Sequence, residues 1–258
     1  DMQEFIVVPH AWNKFSRQLQ AGTEIFHALG DILRKDGLDT DVGNEGGYAP
    51  DVGKTEQALE YLVKAIKKAK YKPGKEVSLG IDVAASEFFN TKTGKYVIKT
   101  DRRKLTADGM IELFGEWIKK YPMLSLEDPL DQDAWEDWTK MMTAHGKKVM
   151  IIGDDFYVTN PERIARGIEE RCSNAVLIKM NQIGTMSETM EAIKLAKAHR
   201  QKVVISHRSG ETSDTTIADL AVAVNAEYIK TGAPSRSERL AKYNRLLEIE
   251  EQLKFMKR

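Results

Sequence analysis

The chain has 258 residues, long enough for one large domain with a substantial core. Its 39 Lys and Arg balance 39 Asp and Glu, so nothing in the net charge of zero points to nucleic acid as a main partner or to a charged tail. The one cysteine excludes an internal disulfide and a zinc cluster and favours a reducing, cytoplasmic setting, and no apolar run is long enough to span a membrane.

The chain runs directly from Asp1 into an apolar stretch with no signal peptide, so Asp1 is not expected to be a natural start. Phe5 to Val8 reads as a strand. Phe15 to about Lys35 carries helical periodicity, with Leu19, Ile25, Phe26, Leu29 and Leu33 expected inward. A polar loop with Gly43, Gly46 and Gly47 follows, closed by Pro50. Thr55 to Lys70 reads as a second helix with Leu59, Leu62 and Ile66 inside. From there a unit of buried strand, polar loop and helix repeats. The predicted strands are Ser78–Val83, Met123–Glu127, Val149–Gly153, Ala175–Lys179, Val203–Ser206 and Glu227–Lys230. Helices are expected over Ala107–Lys120, Asp133–Ala144, Pro161–Arg171, Met186–His199, Asp214–Val224 and Glu238–Glu250. Glu87 to Lys99 interrupts the series as a small hairpin excursion. Trp135 and Trp138 are expected to pack their helix, and Asp133 to cap it.

Strands alternating with helices argue for parallel βαβ units. An open doubly wound sheet is the rival to a barrel, but its phosphate-binding signatures G-x-G-x-x-G and G-x-x-x-x-G-K-[ST] are missing. The strand ends decide between them. Asp82, Glu127, Asp154, Lys179, His207 with Arg208, and Lys230 each close a predicted strand, about one βα unit apart after the excursion. In a barrel such ends converge on the mouth that holds the active site. Three neighbouring carboxylates need a counter-ion, and hard oxygen donors suit magnesium best. A lysine held near a cation loses its proton more readily and can act as a base towards a weakly acidic carbon. The metal would then offset the charge formed as that proton leaves beside a carboxylate. Asp155 is expected to play a supporting part, and Cys172 to be inert.

Several stretches resemble enolase. They are Val42-Gly43-Asn44-Glu45-Gly46-Gly47-Tyr48-Ala49-Pro50, Gly80-Ile81-Asp82-Val83-Ala84-Ala85-Ser86-Glu87-Phe88 and Ser125-Leu126-Glu127-Asp128-Pro129. Gly153 to Asn160, Leu177 to Thr185, Ser206-His207-Arg208-Ser209-Gly210-Glu211 and Lys230-Thr231-Gly232-Ala233-Pro234 continue the likeness, which runs essentially from Met2 to Glu251. A lysine base paired with magnesium is the known arrangement of that superfamily.

The resemblance implies an α/β, TIM-type barrel of the enolase kind, ββαα(βα)6, incomplete with seven of eight strands. Residues 1–258 are then a catalytic barrel domain truncated on its amino-terminal side. It implies a lyase, a phosphopyruvate hydratase that reversibly dehydrates 2-phospho-D-glycerate to phosphoenolpyruvate in glycolysis, with Mg2+ as cofactor and a small phosphorylated carboxylic acid as substrate. By the family pattern Asp82, Glu127 and Asp154 bind magnesium, and Glu127 also lies at the substrate. Lys179 removes the C2 proton and Lys230 stabilises the enediolate. Glu45 is the general acid for the C3 hydroxyl, with Glu4 as its neighbour and Gln3 beside Glu4. Arg208 and Ser209 hold the phosphate, and His207 lines the same pocket.

The first family strand, the amino-terminal domain and the loop serine that completes a second magnesium site have no counterpart in the chain. A homodimer or the missing amino-terminal portion is the expected partner. Two departures stand out. Asn44 replaces the family's usual aspartate, and Trp12 falls where Gly-Ala is usual and needs new packing space. The alternative reading is a catalytically inactive enolase fragment or paralogue acting as a structural or interaction module. A third, another lyase or racemase of the superfamily, is disfavoured by the phosphate-binding Ser-His-Arg-Ser stretch.

Overall fold

The computed structural model describes residues 1–256. In chain order the elements are β1 (Glu4–Pro9), α1 (Phe15–Lys35), α2 (Thr55–Lys68) and β2 (Val77–Asp82). Next come a 3-10 turn (Ala85–Phe88), β3 (Phe89–Asn90), β4 (Lys95–Ile98), β5 (Arg103–Leu105), α3 (Ala107–Lys120), β6 (Met123–Glu127) and α4 (Trp135–His145). They continue with β7 (Met150–Gly153), α5 (Pro161–Glu169), β8 (Ala175–Ile178), α6 (Met180–Ile183), α7 (Met186–Ala198), β9 (Lys202–Ser206), α8 (Thr216–Ala223), β10 (Tyr228–Lys230) and α9 (Ser237–Met256). Among the described residues, β1, β2 and β6 to β10 make a seven-stranded sheet, and β3, β4 and β5 a small separate one. This is the expected α/β architecture, an enolase-kind TIM barrel with seven of its eight strands.

The chain divides into two compact units. One holds Asp1–Ile6, Gly53–Leu59 and Leu79–Val204; the other holds Val7–Val52, Glu60–Ser78 and the chain from Ile205 on. In the first, β2, β6, β7 and β8 are successive parallel neighbours. β2, β7 and β8 are buried along their whole length and β6 over its last three residues, which is why they read as apolar runs rather than as alternating patterns. Gly80 lets β6 approach: a Cβ there would lie 2.5 Å from Ser125 Oγ. Aromatic residues of α4 pack against Phe156 in the turn after β7. Trp138 of α4 is fully buried and stacks on Phe156 at 4.0 Å, while its indole N–H donates to the Asp131 carbonyl at 3.0 Å. The expected packing role of Trp135 and Trp138 is therefore met; Trp135 lies against Phe156 and under the Arg166 guanidinium.

In the second unit, Ile25 and Leu33 of α1 are buried as expected, whereas Leu19, Phe26 and Leu29 are half-buried and Ala21 and Ala28 take the innermost places. Phe26 instead stacks on Tyr48 at 4.4 Å. Trp12 finds its packing edge-on against Tyr71, ring centroids 5.6 Å apart. Leu59, Leu62 and Ile66 of α2 are buried as expected.

Two expectations need correction. Asp133 does not cap α4: the N-cap is Ala134, without a side-chain bond, and the Asp133 carboxylate lies 3.4 Å from Arg163. A tight turn, in which the Asp133 amide donates to Asp131, delays the helix to Trp135. The excursion is more than a hairpin, because β5 pairs with β4 as a third antiparallel strand.

Candidate functional site

In the first unit, the parallel register sets Asp82 opposite Glu127, and Glu127 opposite Ile152 on β7. Two residues past Ile152 the chain turns at Asp154, just beyond the carboxyl end of β7. Asp82 and Glu127 are each 3 % exposed and Asp154 5 %. Burying carboxylates this deeply is costly unless each is hydrogen-bonded, paired or bound to a cation.

Asp128 adds a fourth buried carboxylate. It takes a left-handed backbone conformation, φ 42°, and its two oxygens accept the amide hydrogens of Asp154 at 2.9 Å and Asp155 at 2.7 Å. It thereby clamps the turn that presents Asp154. Burial pushes the Asp128 carboxyl well above the ordinary carboxylate range, and the charges of Asp154 and Asp82 push it further. Burial and then Asp154 also raise Asp155, against the pull of Lys179. Oxygens of Asp128, Asp154 and Asp155 come within 4.8 Å of one another.

Lys179 brings a cation to this charge at close range. Lys179 Nζ, in the segment leaving β8, donates to Asp154 Oδ2 at 2.5 Å, while Gln182 Nε2 donates to Oδ1 at 3.0 Å. The backbone is held as well: the Lys179 amide donates to Thr159 Oγ1 at 2.9 Å, and that hydroxyl donates to Gln182 Oε1 at 2.7 Å. Such a chain of part-buried bonds orients the lysine. The donors present suit a hard divalent cation: carboxylate oxygens, buried, mutually repelling and on adjacent strand ends. Gln3 is exposed and Glu4 half-buried at the start of β1.

In the second unit a second group assembles around Glu45. Ser209 Oγ donates to Glu45 Oε1 at 2.6 Å, and His207 Nε2 lies 3.1 Å from Oε2. The Glu45 loop is docked by its backbone, the Ala233 amide donating to the Glu45 carbonyl at 2.9 Å. Gly232 is required there. Its φ is +83°, and a Cβ would fall 2.6 Å from the Glu45 carbonyl oxygen. Lys230, at the end of β10, accepts the His207 amide on its carbonyl at 3.0 Å, so β9 and β10 deliver His207 and Lys230 at their carboxyl ends. Arg208 and Ser209 are exposed beyond them.

Beneath this loop lie two cations that the sequence reading passed over. Arg239, in the first turn of α9, has no exposed surface. Its Nη1 contacts His207 Nδ1 at 2.6 Å and donates to the Arg208 carbonyl at 2.7 Å. Its Nη2 donates to the carbonyls of Asn44 at 2.9 Å and Ser209 at 2.7 Å. Lys242, one turn on and 1 % exposed, donates to the Thr212 carbonyl and to that of Glu238 at 2.8 Å, and pairs with Glu211 at 3.5 Å. Burial holds the His207 imidazole below its ordinary pKa; Glu45 works against this, and Arg239 and Lys230 reinforce it. Asp128, Thr159 and Gln182 were likewise not singled out. Only Asp128, beside Glu127 in a strand-end acidic pair, carried a local signal.

The acidic group of the first unit and the group around Glu45 in the second gain their meaning from comparison with known proteins. The family model described as the C-terminal TIM barrel domain of enolase matches residues 1–257. The enolase of Natranaerobius thermophilus is 52 % identical over 253 residues, covering 98 % of this chain and 59 % of that protein. The enolase of Bifidobacterium adolescentis is 48 % identical over 253 residues, covering 98 % of this chain and 58 % of that protein. The chain thus spans somewhat less than three fifths of the length of these curated relatives. On the strength of a family match across almost every residue, this chain belongs to the enolase family, as its C-terminal barrel domain.

Proposed function

We propose that this chain carries the side chains for the magnesium-dependent, reversible dehydration of 2-phospho-D-glycerate to phosphoenolpyruvate. The observation that carries the reading is the buried acidic set Asp82, Glu127 and Asp154 with the lysine Lys179 held 2.5 Å from Asp154. Carboxylates alone would suggest a storage or structural cation site; a lysine bonded to one of them adds a group able to move a proton. Asp82, Glu127 and Asp154 would hold Mg2+, which when bound offsets the negative charge that grows on the substrate carboxylate.

The remaining roles belong to the chain's own groups. Lys179 takes the proton from C2. Lys230 steadies the enediolate with its positive charge. Glu45, in its protonated form, gives its proton to the C3 hydroxyl, which leaves as water, and Ser209 and His207 hold the Glu45 carboxyl group in place for that transfer. Arg208 and Ser209, on an exposed loop, bind the phosphate, for which a guanidinium fork is well suited. Glu4 and Gln3 keep the supporting places that the family pattern gives them. No helix among the described residues is long and apolar enough to cross a membrane, and a cytoplasmic site of action fits this chemistry.

The test follows phosphoenolpyruvate formation with magnesium present, on the chain alone and after adding an amino-terminal segment from an enolase relative. Turnover in either arm supports the reading. Absence of turnover in both would overturn it, and magnesium binding without turnover would then favour an inactive module that keeps its carboxylate site.

A further inference from the structure

Arg239 is a fully buried guanidinium whose side chain has no short carboxylate contact among the described residues; the ion pair it makes, to Glu238, is at 4.0 Å from Nε. Burying such a charge is expensive, and an apolar side chain would fill the same volume at less cost. Packing therefore does not explain the residue. Its acceptors do. They are three carbonyls, on Asn44, Arg208 and Ser209, and one imidazole nitrogen, on His207. These come from two segments far apart in sequence, the Glu45 loop and the loop after β9.

The imidazole contact has a chemical consequence. Guanidinium nitrogens donate and have no lone pair to accept with. At 2.6 Å from Arg239 Nη1, His207 Nδ1 must therefore be the bare nitrogen. A neutral imidazole then carries its one proton on Nε2, the nitrogen that faces Glu45 Oε2 at 3.1 Å. The opposite tautomer would aim an N–H at a guanidinium and a lone pair at a carboxylate, two repulsions at once.

We propose that Arg239 is a positioning residue, which locks His207 in the Nε2-protonated tautomer towards Glu45 and ties the Glu45 loop to the 207–209 loop. Its bearing on catalysis rests on the dehydratase reading given above; the tautomer itself does not. A lysine would not replace it, because an ammonium is a point donor and the planar fork spans acceptors on two segments. The residue touches neither substrate nor metal in this reading, and acts through His207 and the two loops.

The experiment is long-range proton–nitrogen NMR on the chain labelled with 15N-histidine, the His207 ring signals assigned by their loss in His207→Gln. In the unaltered chain His207 is expected as a single neutral species protonated on Nε2. In Arg239→Lys, which keeps the charge but not the fork, and in Arg239→Gln, the ring is expected to populate the Nδ1-protonated form or to exchange between the two. A proton on Nδ1 in the unaltered chain would overturn the proposal before any variant is made. An unchanged single tautomer in folded Arg239→Lys would overturn it as well. The readout needs no turnover. A chain that makes no phosphoenolpyruvate but shows this tautomer shift would remove the dehydratase reading and leave the role of Arg239 standing.

Discussion

At the scale of single residues, Lys179 and Cys172 make a useful contrast. Lys179 leaves the end of β8 with its ammonium on Asp154, its amide on Thr159 and its following turn braced by Gln182. Lys179→Ala removes the proposed base while leaving the backbone bonds in place. Activity of the complete protein should fall by about 2–4 orders of magnitude, as read by phosphoenolpyruvate formation, with circular dichroism checking that the variant is folded. Cys172 is buried, and burial raises its thiol pKa, so it stays protonated and unreactive. Cys172→Ser should leave turnover unchanged within about twofold while placing a hydroxyl where Thr139 already offers a partner; a large loss of turnover would give the thiol a part that no contact here supplies.

His207 gives a prediction in pH. Its folded pKa lies below the ordinary value of 6.5, chiefly through burial. The unfolded chain therefore binds the proton more readily than the folded one. The neutral imidazole's contribution is complete above pH 6.5 and is lost as pH falls towards the depressed folded value. Unfolding free energies measured by urea at a series of pH values should decline across that window. In His207→Gln this component of the decline should vanish, and an identical slope in both proteins would count against a buried neutral histidine. Much of this group was invisible in sequence. His207, Arg208 and Ser209 announced themselves at a strand end, but Arg239 stands in the first turn of a helix, where an arginine reads as a solvated surface group. Its burial is decided by two loops that close over it.

At the scale of elements, β6 and α3 were readable to the residue because each carries a self-sufficient local signal. Met123 to Glu127 is a short apolar run closed by a carboxylate, and α3 opens on a Thr106 side chain that accepts the Gly109 amide. β5 had no such signal: Arg103-Lys104-Leu105 offers no apolar alternation, and its strand state comes from pairing with β4. The short α6 after Lys179 was missed for a related reason, since four residues cannot show a helical period. The α4 start slipped because Asp133 resembles a cap, while the chain uses Asp131 to shape the preceding turn. The packing of α4 on the Asp154–Asn160 turn gives an element-scale test. Trp138 is fully buried, stacked on Phe156 and hydrogen-bonded through its indole. Trp138→Ala should cost about 3–5 kcal/mol, the range for emptying a large aromatic site, and Trp138→Phe distinctly less. Urea unfolding monitored by circular dichroism measures both. Equal losses would assign the cost to the indole N–H bond to Asp131 rather than to packed volume.

For the molecule as a whole, the balance of charge in the acidic set decides how stability should respond to metal. Asp82, Glu127, Asp128 and Asp154 are all buried, and Asp128 is raised by Asp154 and Asp82 as well as by burial. Lys179 pairs with Asp154 among them. Without a divalent cation the folded state therefore carries a repulsion that the unfolded chain, with its carboxylates in water, does not. A cation that binds only the folded state adds stability by mass action, about 2.7 kcal/mol at a concentration a hundredfold above its dissociation constant. In a chain of this size each 1 kcal/mol moves the thermal midpoint by roughly 2–4 °C. Raising magnesium from a chelated baseline to saturation should thus lift the midpoint of the chain by several degrees. Asp82→Asn separates this from a general salt effect. It removes one proposed ligand and one repelling charge together, so in chelator the variant should be at least as stable as the unaltered chain. In saturating magnesium it should be the less stable of the two. That crossing of the two curves is the signature of a carboxylate kept for metal rather than for the fold. A variant that is destabilised in chelator and still gains the full magnesium shift would instead make Asp82 a structural carboxylate and move the metal elsewhere.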